Sequence, residues 1–200
     1  MARNYLNSCP DSDLRITDFS RLSFSGCWEI SKDQKFTYLN WGKAYKIEFT
    51  IQVDRMPYNV FKKTNVFHFT AIGFDGWGDD IPSLYINKNC FQDGDQCFEV
   101  CSAINGTNHC ENIPFVLGVR YKMVIQQMNV RGTYWYEVIM DYETIIRTEN
   151  YIPVSFSIVD MYASDNIYSP FTSEFGYLCN VYIQRRSNFV ILSNFAIPIT

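Results

Sequence analysis

Residues 43–53 read Lys-Ala-Tyr-Lys-Ile-Glu-Phe-Thr-Ile-Gln-Val, which sets Tyr45, Ile47, Phe49, Ile51 and Val53 on one side and Lys46, Glu48, Thr50 and Gln52 on the other. Side chains alternate with a period of two only along an extended strand, so this segment is a strand with one face in a core and one in water. Comparable runs of β-branched and aromatic residues recur at about 21–30, 65–71, 81–87, 97–104, 119–128, 133–140, 144–149, 153–163, 175–184 and 188–197. Turn residues separate them: Gly42, Asp75-Gly76, Gly78-Asp79-Asp80, Asp93-Gly94-Asp95, Asn105-Gly106, Gly118 and Arg131-Gly132. Pro82, Pro114 and Pro153 fall at strand starts, where a missing N–H costs least. No segment sustains a helical period. About eleven short strands without helices predict an all-β fold, an antiparallel two-sheet β-sandwich or jelly roll. One domain is expected over 19–200, after an irregular polar arm over 1–18. The apolar stretch Phe189–Ile199 is expected to pack as a last strand or to cover a sheet edge.

Composition narrows the partners. The 17 Lys+Arg against 21 Asp+Glu leave a net charge of −4, without the basic footprint that phosphate neutralisation needs, so nucleic acid is excluded as a partner. The longest apolar stretch, Phe189–Ile199, is interrupted by Ser193 and Asn194 and falls short of the roughly 18 residues of a membrane span. Aromatic residues reach 17%, enough for a large core and for stacking surfaces as well.

Seven cysteines, Cys9, Cys27, Cys90, Cys97, Cys101, Cys110 and Cys179, leave two readings. A zinc site would use Cys97-x3-Cys101 with His109, whereas a set of disulfides would staple a loop-rich region in an oxidising compartment. The disulfide reading is preferred, and with it an extracellular location, although the chain starts Met-Ala-Arg-Asn without the apolar core of a leader. Asn105-Gly106-Thr107 is an N-glycosylation sequon in a turn, which makes Asn105 the candidate glycan site.

Three segments carry a resemblance. Gly118-Val119-Arg120-Tyr121-Lys122-Met123-Val124-Ile125 is similar to the glycine, aromatic and alternating strand of laminin G-like and pentraxin-like domains. Tyr136-Glu137-Val138-Ile139-Met140-Asp141 with Thr144-Ile145-Ile146 resembles their next hairpin. Val159–Asp165 and Phe175–Ile183 resemble the penultimate and closing strands. The superfamily implied is that of concanavalin A-like lectins and glucanases, over about residues 20–185. Its members set the first and last strands side by side, which implies a Cys27–Cys179 bridge and pairing of Cys90, Cys97, Cys101 and Cys110 among themselves. That leaves Cys9 free or available to link a homo-oligomer. Val66-Phe67-His68-Phe69 is similar to a galectin sugar-contacting strand, with Thr70-Ala71-Ile72 here in place of the galectin Asn-Pro-Arg, and Trp77-Gly78 is similar to the galectin Trp-Gly. The resemblance thus implies His68 and Trp77 as sugar contacts.

Two loops carry the remaining candidates. Gly73–Asp80 gathers Asp75, Asp79, Asp80 and Trp77; its carboxylates are the hard donors that Ca²⁺ takes, and equally the residues that long turns use. Ser164–Phe171 offers Asp165 and Asn166 for sugar hydroxyls and Tyr168 for stacking on a pyranose. The two loops are expected to form one shallow surface if their tips meet. Glu137, Asp141 and Glu143 are the local carboxylates for glycoside hydrolysis, but Asp141-Tyr142-Glu143 falls where a hairpin turn is expected, so they are read as solvated turn residues and no catalytic residue is assigned. The resulting expectation is a secreted, disulfide-stapled lectin-like module that binds carbohydrate or an extracellular glycoprotein. A structural or self-assembly module comes second and a glycoside hydrolase third.

Overall fold

A computed structural model describes residues 21–28, 34–56, 63–71, 81–88, 90–91, 95–163, 169–170 and 175–186. The expected arm over 1–18, the segment 188–197 and Cys9 lie outside them. The described residues contain no helix and thirteen strands: β1 (Arg21–Trp28), β2 (Gln34–Trp41), β3 (Ala44–Val53), β4 (Thr64–Ala71), β5 (Ser83–Asn87), β6 (Cys97–Ile104), β7 (Thr107–Pro114), β8 (Arg120–Val130), β9 (Thr133–Met140), β10 (Glu143–Glu149), β11 (Phe156–Ala163), β12 (Ser169–Pro170) and β13 (Gly176–Arg186).

They form two sheets. The first has the order β1-β13-β3-β8-β9-β10, and the second β2-β11-β4-β5-β6-β7 with the short β12 parallel to β4. Apart from β12 all pairings are antiparallel, and the inner faces meet in one core. This is an all-β, antiparallel two-sheet sandwich. The period-two strand behaves as its sequence requires: Tyr45, Ile47, Phe49, Ile51 and Val53 are all buried, and the alternate positions are half-exposed. Phe49 of the first sheet meets Phe67 of the second edge-on, with ring centres 5.0 Å apart, and Trp41 touches Tyr45 and Phe69 at 4.6 and 5.0 Å. Such aromatic contacts add about 1 kcal/mol each beyond the area they bury.

Turn chemistry sets the hairpins. The two-residue links Asn105-Gly106, Arg131-Gly132 and Asp141-Tyr142 all have positive φ at both positions, the backbone twist that matches right-twisted antiparallel strands. In the last of these, Asp141 Oδ1 accepts from the Lys122 N–H at 2.8 Å, which holds a left-handed turn without glycine. Between β7 and β8, Gly118 has φ +74 and its N–H donates to Val53 O at 2.7 Å, tying this connection to the end of β3.

Three disulfides join Cys27 to Cys179, Cys90 to Cys97 and Cys101 to Cys110. The first links β1 to β13, which are hydrogen-bonded neighbours with these two residues directly opposite. The Cys97-x3-Cys101 knuckle does not form, since each of the two cysteines bonds elsewhere and His109 pairs with Glu111 at 3.1 Å. Strands β2 and β7 were not expected from the alternation; β7 is exposed at every position except Ile113 and is held to β6 by its ladder and by Cys101–Cys110.

Candidate functional site

The outer face of the second sheet is where this sandwich departs from a simple alternation of apolar inside and solvated outside. On β4 the core takes Phe67, Phe69 and Ala71, which turns His68 and Thr70 outward; on β11 the core takes Val159 and Met161, which turns Asp160 and Tyr162 outward. Cross-strand register then aligns Tyr162, His68, Ser83, Cys101 and Cys110 in one row over β11, β4, β5, β6 and β7. A second row holds Asn65, Tyr85, Glu99 and Asn112. Directly opposed residues share a face with Cβ atoms about 5 Å apart, so these side chains are neighbours.

The face is polar yet shielded from water. Ser83 is 0% exposed, His68 1%, and Asp160 and Glu99 6% each. The Tyr162 hydroxyl donates to Asp160 Oδ2 at 3.4 Å. The Lys63 ammonium pairs with Glu99 Oε1 and lies over the Tyr85 ring, 5.6 Å from its centre, while Asn87 Nδ2 donates to Glu99 Oε2 at 3.0 Å. Donors, acceptors and aromatic rings are thus concentrated on one surface. The first sheet's outer face instead carries charge pairs in contact with water: Glu48 takes Lys46 at 2.6 Å and Lys122 at 2.7 Å. The hydrogen bond from Lys122, then that from Lys46, holds the Glu48 carboxyl below its ordinary value.

Of the residues expected to touch ligand, His68 alone is described. It lies in the interior of β4's outward row, beneath the surface, and not on an open rim. Trp77, Asp75, Asp79 and Asp80, and likewise Asp165, Asn166 and Tyr168, lie outside the described residues. Their stems are defined, however. Ala71 and Ile81 bound the first loop, and Ala71 pairs with Val159. Ala163 and Ser169 bound the second, paired with Phe67 and Thr64. The stems therefore leave from opposite ends of the β4–β11 pair, separated along β4 by roughly 13 Å at Ala163 and roughly 23 Å at Ser169, at about 3.3 Å per residue.

Glu137 is buried on the first sheet, where Gln126 Nε2 donates to it at 2.8 Å and Arg147 Nε lies 3.3 Å away. Asp141 is in the β9–β10 turn and Glu143 begins β10, both exposed as the turn reading expected, but Glu137 is not a solvated turn residue: it lies inside β9 and is buried, and the three carboxylates do not share a continuous strand. Asn105 is engaged with the other sheet. Its Nδ2 donates to Glu149 O at 2.9 Å, its Oδ1 accepts from the Tyr151 N–H, and its own N–H donates to Asn150 Oδ1 at 3.1 Å. A glycan at this sequon would be carried by the nitrogen that makes the first of these bonds. Beside this turn, Trp41, Tyr45, Ser102, Gln127 and Asn150 line a cavity of about 20 Å³, room for about one water. Burial pushes the Tyr45 hydroxyl far above its ordinary pKa, partly offset by its hydrogen bond with Ser102.

Sequence reasoning missed Ser83, Asp160, Tyr162, Tyr85, Glu99 and Lys63. The available signal was parity: Asp160 and Tyr162 flank Met161 in the half of β11 where positions 159, 161 and 163 are apolar.

No protein-family model matches the chain, and no curated protein matches it in sequence. Among solved structures, it is similar to the heptameric SAP-like pentraxin of Limulus polyphemus, with 12% identity over 82% of this chain and 74% of that one and a TM-score of 0.48. It is also similar to the carbohydrate recognition domain of Emp47p, with 9% identity, coverage of 84% and 89% and a TM-score of 0.48. A third is alginate lyase PA1167 of Pseudomonas aeruginosa, with 13% identity, coverage of 74% and 68% and a TM-score of 0.46.

Proposed function

We propose that this chain is a secreted binding module that recognises carbohydrate through the loops over 72–80 and 164–168, which are rooted at the two ends of the β4–β11 pair. One observation carries the reading: the stems of both loops spring from the two ends of the β4–β11 pair whose outward residues are Asp160, Tyr162, His68 and Thr70. Loops rooted at the two ends of one strand pair suit an extended ligand, with Trp77 and Tyr168 stacking on pyranose faces and Asp165 and Asn166 holding hydroxyls. The carboxylates Asp75, Asp79 and Asp80 are the donors for a Ca²⁺ ion that would bridge to such hydroxyls. A glycan array on the full chain tests the reading. Saturable signal that free sugar competes away, and that falls at least tenfold in Trp77→Ala and Tyr168→Ala, supports it; a blank array ends it. Loss of signal in EDTA, regained with Ca²⁺, supports the ion, and an unchanged signal removes it.

A second reading, a protein-recognition or self-assembly module, is favoured by one exposed cluster. Val116, Leu117 and Val119 are 61%, 38% and 41% exposed in the β7–β8 connection. Concentration-dependent sedimentation that Val116→Ser abolishes, without sugar binding, would establish it.

A further inference from the structure

Glu99, Cys101 and Cys110 stand together on the outward face of the second sheet, with a ligand-capable atom of each within 4.8 Å of the others. The topology places them. Glu99 and Cys101 are two residues apart on β6 and so share a face, and Cys110 lies directly opposite Cys101 on β7. Cys101 Sγ is 3.7 Å from Glu99 Oε1. Two ligands of one tetrahedral zinc, at about 2.3 Å for sulfur and about 2.0 Å for oxygen, stand roughly 3.5 Å apart. The carboxylate is therefore already at ligand distance from the disulfide.

We propose that reduction of Cys101–Cys110 opens a site in which both thiolates and Glu99 hold a thiophilic divalent cation, Zn²⁺, with water in the fourth position. The balance is simple. A dithiol attacks the exposed Cys110 sulfur, the S–S bond breaks, two electrons and two protons pass to the protein as two thiols, and the reductant leaves as its own disulfide. Binding of Zn²⁺ then releases both thiol protons to solvent. The sulfurs must part to about 3.8 Å, the span of two thiolates on one zinc. Strand β7 allows this, because among the described residues β6 is its one ladder neighbour, and Ile113 is its one buried residue.

Two neighbours set the affinity. Asn87 holds Glu99 Oε2 and so orients the carboxylate. The Lys63 ammonium sits on Oε1, the oxygen the cation needs, but its side chain is 40% exposed and swings into water. Lys63 is thus a competitor of the metal, and this gives the site a signature that a chance thiol pair lacks. In function, the cation re-ties β7 to β6 once the covalent link is gone, so that the edge of the sheet is held in both redox states.

The test uses the full chain with Cys90 and Cys97 both changed to Ser, reduced with a phosphine and titrated anaerobically with Co²⁺ and then Zn²⁺. The expected result is one Co²⁺ per chain with a thiolate-to-cobalt absorption band that Zn²⁺ bleaches, and no band in the oxidised protein. Cys110→Ser and Glu99→Gln each weaken binding at least tenfold, and Lys63→Ala tightens it severalfold. A band that survives Cys110→Ser in a folded chain, a Lys63→Ala variant that binds no tighter, or the absence of any band overturns the proposal. If Cys110→Ser fails to fold by circular dichroism, Lys63→Ala decides alone, since it leaves every ligand in place.

Discussion

Replacing Asn105 should unfasten one end of the sandwich, and its two roles can be separated by the choice of replacement. Asn105 sits at φ 52 in the β6–β7 turn, and its side chain makes two bonds to the end of β10 and the segment after it, at Glu149 O and the Tyr151 N–H. A side-chain hydrogen bond contributes about 1 kcal/mol net, and a non-glycine residue without a compensating side chain costs about 1 kcal/mol in the left-handed region. Asn105→Ala loses both bonds and takes on the strain, about 3 kcal/mol in all. Asn105→Gly loses the bonds without the strain, about 2 kcal/mol. With a urea slope of about 2 kcal/mol/M, the midpoints fall by about 1.5 and 1 M. Thr107→Val removes the same sequon while leaving Asn105 in place, and its loss of the hydroxyl bond to Ile104 O costs about 1 kcal/mol. Equilibrium urea unfolding with the disulfides intact reads all three. An Ala variant within about 0.5 kcal/mol of the parent, or Ala and Gly variants of equal stability, refutes the clamp.

Peptide mapping without reduction should recover the Cys27–Cys179, Cys90–Cys97 and Cys101–Cys110 links, and loss of the first should be the costliest: its ends are 152 residues apart, worth about 5 kcal/mol of chain entropy against about 3 for the 9-residue span of the third. Because Lys122 and Lys46 lower the Glu48 carboxyl in the folded state, their stabilisation is present above the unfolded glutamate value, about 4.3, and is lost as pH falls through the folded value. Glu48→Gln should therefore flatten the acid limb of Tm against pH, by up to about 1 kcal/mol; parallel curves for the two proteins from neutral pH down to about 3 would show that these pairs contribute nothing. Phe67→Ala, at 1% exposure and in contact with Phe49 and Phe69, should cost about 3–5 kcal/mol by calorimetry, and less than about 1 would mean the two sheets do not meet there.

The strands that were legible in the sequence are those with one face in the core. Segment 43–53 reads correctly because a single face is apolar, and 133–140 because Tyr136 and Val138 alternate with Glu137. Strand β7 was illegible for the opposite reason: from Thr107 to Asn112 neither face is buried, and pairing alone keeps the segment extended. Strand β4 hid something else. His68 looks like a solvated alternate of Phe67 and Phe69, and Asn65, in phase with them, is turned to the outer row by the register shift between Asn65 and Phe67; yet at 1% and 0% exposure both faces of the strand are covered. Period-two patterning tells which side a residue takes, not how deep that side lies. The stems of the candidate loops could be placed only by register, since the 72–80 and 164–168 segments are far apart in the chain yet adjoin the same strand pair.

The bridge between Cys27 and Cys179 also decides how this domain would respond to being pulled. Tension applied at the two tails enters β1 and β13 and crosses directly at the sulfur link, so the intervening 152-residue span is bypassed by the load. In an optical trap the oxidised molecule should yield only the short extension of its flanking segments. After reduction the same traction would unzip β1 from β13 and release the length of the sandwich.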